Sequence, residues 1–134
     1  MSNEFTKKDN IKKKSAYIWG AMLGILSALV SMLVFSAVLL FLNIDRAYAT
    51  PFATISIAIG SFIASRYTSN KIGDKGYLIG FTIGIIVFIA ITSLSLIVGN
   101  SLSLNTLFHF IIILLASTVG GITGVNQNKH KKYI

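Results

Sequence analysis

The chain contains no cysteine, which excludes disulfides, thiolate nucleophiles and cysteine metal sites and leaves the redox compartment open. Acidic residues are nearly as scarce, with four Asp and Glu against twelve Lys and Arg. Charged residues of both signs make up 12%, where a soluble domain carries roughly 25%, so the chain lacks the charge to coat a water-facing surface. One proline stands against eleven glycines, and glycine is more frequent in membrane helices than in soluble ones. The apolar stretches hold no Asp, Glu, Lys or Arg. Charge embedded in a bilayer is costly and usually functional. Its absence removes the key part of proton-coupled transport by a buried carboxylate and of an intramembrane aspartyl protease. No nucleophile–base arrangement is present, and no glycine-rich loop follows a strand, so the glycines are not a nucleotide site.

What is present is four long apolar runs in 134 residues that allow a single domain. A membrane helix needs about 20 apolar residues, and the spans predicted are 17–42, 50–65, 77–98 and 106–125. The second is the weakest, with Thr50 as N-cap and Pro51 as first helical residue; Asn105 is placed to cap the fourth. The links 43–49, 66–76 and 99–105 and the tails 1–16 and 126–134 are too short to hold a domain. Runs this long and continuously apolar are not barrel strands, which alternate. The Lys-rich start and Ala47-Tyr48-Ala49 mimic a cleaved secretory signal, but the run is too long and Asp45 and Arg46 intervene. The fold expected is an all-α, four-helix transmembrane bundle.

Lysine and arginine distribution orients it. Eleven of the twelve fall in the N-tail (Lys7, Lys8, Lys12, Lys13, Lys14), the second link (Arg66, Lys71, Lys75) and the C-tail (Lys129, Lys131, Lys132), leaving Arg46 on the other side. The positive-inside rule then puts both ends in the cytoplasm. Topology accounts for the basic charge without nucleic acid. Lys12, Lys13 and Lys14 are also expected to attract anionic lipid headgroups, at about 1 kcal/mol each near the surface. Tyr17, Trp19, Tyr67 and Tyr77 read as interfacial anchors at the same side.

Each span carries a seam of small residues. Gly20 and Gly24 lead on to Ser27 and Ser31; the others are Ser56, Gly60 and Ala64; Gly76, Gly80 and Gly84; and Ala116, Gly120 and Gly124. Small residues four apart let helix backbones approach, which in lipid replaces the missing hydrophobic drive. The glycines lie mostly in the cytoplasmic halves, so the bundle is expected to be tightest there. A shift of sixty residues sets Tyr17, Gly20, Gly24 and Ile25 on Tyr77, Gly80, Gly84 and Ile85, Gly60 on Gly120, and Ala64 on Gly124. A duplication would make two parallel-repeated in-out-in hairpins about an axis along the membrane normal.

The polar residues in the spans suit helix packing, since a hydroxyl can bond its own helix carbonyl or a neighbouring helix. His109 lies near the outer interface with no second metal ligand close in sequence and reads as bonded to water or a carbonyl. His130 belongs to a solvated charge run. No cofactor is expected.

From Lys75 onward, Lys75-Gly76 with Gly80 and Gly84, an apolar span, an outer loop, and a last span ending Gly120-Gly121-Ile122-Thr123-Gly124-Val125-Asn126 resemble the YrzE-like family of small four-span membrane proteins. That family is found mostly in Firmicutes and has no assigned function. The resemblance covers most of the chain, implies a bacterial plasma membrane and brings no catalytic residues. The function expected is non-enzymatic, acting by helix–helix contact as a homo-oligomer or an accessory subunit of a larger complex, with the glycine seams as contact faces. The alternative is a small channel or transporter for an uncharged solute.

Overall fold

A computed structural model of the chain describes residues 2–99, 101 and 103–132. Its four helices are α1 (Ser2–Phe41), α2 (Ala49–Ile72), α3 (Gly76–Ile97) and α4 (Leu104–Lys132), with a single 3-10 turn at Arg46–Tyr48 before α2. No strand occurs among the described residues. All four helices are long and apolar enough to cross a membrane.

α1, α2 and α4 outrun the predicted spans, because charged residues stop a membrane span without stopping a helix, while α3 matches its span to within one residue. α1 takes in nearly the whole N-tail and reaches 40 residues, about 60 Å at 1.5 Å per residue and twice the hydrocarbon thickness. Most of the link expected at 66–76 is also helix: α2 runs on to Ile72, and only Gly73, Asp74 and Lys75 join it to α3. Gly73 closes α2 with φ 74° and its N–H on the Ser69 carbonyl at 2.8 Å, a left-handed cap that glycine adopts without cost. Lys75, also left-handed at φ 40°, turns the chain into α3.

Two predicted caps shift. α2 begins at Ala49, so Thr50 and Pro51 sit inside its first turn, where the missing proline N–H still costs nothing. Asn105 lies within α4, and Ser103 stands ahead of it, its N–H on Thr106 Oγ1 at 3.3 Å. The side chains of His130, Lys131 and Lys132, and residues Asn100 and Leu102 of the third link, lie outside the described residues.

The packing is a row with α2 at its hub. α2 lies broadly against α1 on one side and α4 on the other; α3 lies against α4 and touches α2 less, and α1 touches scarcely anything but α2. Ala64, Ile79 and Ile83 form a small buried cluster flanked by Tyr17, Ile72 and Val87. Ala16 of α1 meets Thr68 of α2, Arg66 meets Gln127 of α4, and Gly76 of α3 meets Gly121. Both chain ends therefore share one end of the bundle, called here the terminal end. Phe35–Phe52, Phe88–Phe110 and Thr54–His109 contacts mark the distal end. Burial is concentrated toward the terminal end: in α1 it takes Ala16, Gly20 and Gly24, and in α3 it stops at Gly84.

Candidate functional site

The seams come first, because they decide what surface remains. Gly24 meets Gly60 and Ala64, and Gly20 meets Ala64 and Thr68, so the first seam closes on the second. Gly76, Gly80 and Gly84 meet Gly121, Ser117 and Leu114 of α4. Gly120 abuts the Phe62 backbone and Gly124 abuts Arg66 and Ser69. Of the thirteen seam positions, Gly20, Gly24, Gly60, Ala64, Gly76, Gly80, Gly84, Gly120 and Gly124 are thus engaged within one chain. At these positions the seams pack within the chain, a choice between packing within and between chains that the sequence pattern leaves open.

Nor does the sixty-residue alignment carry into the packing. Gly60 faces α1, whereas its counterpart Gly120 faces α2; Gly24 meets Gly60, whereas Gly84 meets Leu114 and Ser117. The two hairpins close with different residues and in different registers. Gly121 was outside the four-residue spacing, yet it opens a further face of α4, against the backbone of Gly76 and Gly80.

The hub helix is lined with hydroxyls. Thr54, Ser56, Ser61, Ser65, Thr68 and Ser69 are all buried. Most turn to a carbonyl of their own helix, as Ser56 does to Phe52 at 3.0 Å and Thr68 to Ala64 at 2.8 Å. Ser65 reaches across to the Ser117 carbonyl. Thr54 bonds the Thr50 carbonyl at 3.0 Å and lies 2.8 Å from His109 Nδ1. His109 is therefore tied to a neighbouring helix through a side chain rather than to a carbonyl. If the single threonine hydrogen goes to Thr50, Nδ1–H donates to Oγ1. Among the described residues no group of three or more His, Asp or Glu could hold a metal ion.

One cavity brings chemistry together. At the terminal end, Lys12, Ser15, Ala16 and Trp19 of α1 and Tyr67 and Lys71 of α2 line a space of about 470 Å³. The α1 positions are spaced three and four apart, and Tyr67 and Lys71 four apart, so each set forms one helix face. The lining holds two lysines and no carboxylate. Lys71 Nζ lies 5.8 Å from the centroid of the Tyr67 ring, within cation–π reach. Of the three lysines expected at headgroups, Lys12 joins this cavity, while Lys13 and Lys14 are exposed and outside it. Lys71 was read as a topology signal and Trp19 and Tyr67 as anchors. What sequence could not supply was that α1 and α2 set them face to face.

A family model described as protein of unknown function, DUF3792, matches residues 13–124, a stretch that takes in the first three apolar runs and all but the last residue of the fourth. No curated protein and no solved structure matches the chain.

Proposed function

We propose that this chain, which belongs to that family of unknown function, is a non-enzymatic membrane protein acting by helix–helix contact, as a homo-oligomer or an accessory subunit of a larger complex. Its membrane is a bacterial plasma membrane, with both termini cytoplasmic. The Lys and Arg distribution supports that sidedness.

The observation that carries the reading is the position of α1. Only 6% of its most apolar stretch is buried, against 28% in α2, 22% in α3 and 33% in α4. It rests on α2 by one narrow face of small residues and presents Leu26, Leu29 and Leu33 outward. A helix so placed adds little to the bundle's interior and much to its perimeter, where lipid or another helix must lie. The alternative path for an uncharged solute gains no support within one chain, because the hydroxyls of α2 are packed and mostly turned to backbone.

Gentle-detergent purification from native membranes, with intact-complex mass, tests the reading. A defined mass above that of the monomer, lost when Leu26 and Leu33 become Ala, is expected. A monomer without partner would overturn it, and solute flux into protein-loaded vesicles would favour the alternative.

A further inference from the structure

We propose that the terminal-end cavity between α1 and α2 is a binding site for the phosphate of an anionic phospholipid, with Lys12 and Lys71 as its cationic groups and Trp19 and Tyr67 as its walls. The inference stands apart from the oligomeric reading, since both sides of the cavity come from one chain.

Depth along the two helices argues for a lipid. Lys12 precedes Trp19 by seven residues, about 10 Å along the axis. On the antiparallel partner Lys71 lies one turn outward of Tyr67. Both helices therefore set a cation toward the water and an aromatic deeper, at the apolar side. A phospholipid has the same order, phosphate outermost and acyl chains inward. Indole N–H and phenol O–H suit the ester level between them, where such rings concentrate. Between the walls the floor is shallow because Ala16 is buried against Thr68, so a headgroup can approach the helix pair.

Charge selects among lipids. Two ammonium groups with no lining carboxylate attract a phosphodiester and repel a headgroup that carries its own amine. The site thus favours a phosphatidylglycerol-type headgroup over choline or ethanolamine. Topology explains lysines anywhere at this end, including Lys13 and Lys14. It does not explain why one lysine from each of two helices, 59 positions apart in sequence, converges with two aromatics on one cavity.

Trp19 is the only tryptophan, so its fluorescence reports the site directly. The full chain is reconstituted into phosphatidylcholine vesicles containing brominated phosphatidylglycerol or brominated phosphatidylcholine, and quenching is followed against lipid fraction. The phosphatidylglycerol is expected to quench at about a thirtyfold lower fraction, the scale of two lysine–lipid attractions. The preference should vanish in K12Q/K71Q, survive in K12R/K71R and survive in K13Q/K14Q. Equal quenching by the two lipids overturns the site, as does an equal loss in K13Q/K14Q, which would mark diffuse surface attraction. A saturable response of Trp19 to inorganic phosphate in pure phosphatidylcholine vesicles, absent in K12Q/K71Q, would assign the cavity to a soluble phosphate and overturn the lipid.

Discussion

Gly24 and Gly60 meet backbone to backbone: a Cβ on Gly24 would stand 3.0 Å from the Gly60 carbonyl oxygen, and one on Gly60 would stand 2.8 Å from that of Gly24. Nothing flexible lies between them, so the approach of α1 to α2 is set by the absence of two side chains.

That geometry fixes the sign of a small change. Alanine in place of glycine stabilises an unpacked helix by about 0.5–1 kcal/mol. At Gly24 and Gly60 overpacking, worth about 1–3 kcal/mol, opposes it. Gly24→Ala and Gly60→Ala are expected to lower stability in detergent unfolding, and Leu at either position to detach α1. A rise in stability would show that the helices do not meet here.

Gly120 and Gly121 separate two interfaces. Gly121→Ala should weaken the α3–α4 contact and Gly120→Ala the α2–α4 contact. Cysteine pairs at Phe88 and Phe110, and at Arg66 and Gln127, report each in turn by disulfide formation. Both variants slowing the same pair would contradict the assignment of the faces.

Ser65 and Ser69 are one turn apart and both buried, but only Ser65 has a hydrogen-bond partner for its hydroxyl among the described residues; Ser69 Oγ has none. Ser65→Ala is expected to cost about 1 kcal/mol, and Ser69→Ala to be neutral or stabilising by about that amount, because it removes an unsatisfied buried group. Thermal unfolding of the two variants side by side gives the comparison.

Thr54 and His109 join α2 to α4 at the distal end. A double-mutant cycle with Thr54→Val and His109→Ala should return a coupling of about 0.6 kcal/mol, the usual scale for such bonds in membranes. Strict additivity would mean that the two side chains do not interact.

Sidedness is open to labelling. Single cysteines at Asp45 and Ser101 are expected to react with a membrane-impermeant thiol reagent on intact cells, and one at Asp74 only after the membrane is broken. The reverse pattern would invert the proposed topology.

The four long apolar helices were legible because a bilayer forces long uncharged runs, and the small-residue seams because glycines four apart stand out in any sequence. Which seam met which was not legible. Span two looked weakest because hydropathy scores serine and threonine as polar, whereas in α2 six of them are buried and most of those return to backbone carbonyls. Gly121 escaped because it sits one residue off the spacing of Gly120 and Gly124, on a different face. Lys71 escaped because a charge count assigns a lysine to a side of the membrane and not to a cavity.

The three-residue turn at Gly73–Lys75 delivers α3 beside α2, yet both lie more broadly against α4. The flank of α2 that carries Ser65 and Ser69 thus faces α4, which is synthesised after α3. During biogenesis α1 can close on Gly60 and Ala64 as soon as α2 emerges, but the serine flank stays uncovered until α4 arrives. A chain stalled or cut before residue 104 therefore leaves that serine flank without the helix that covers it.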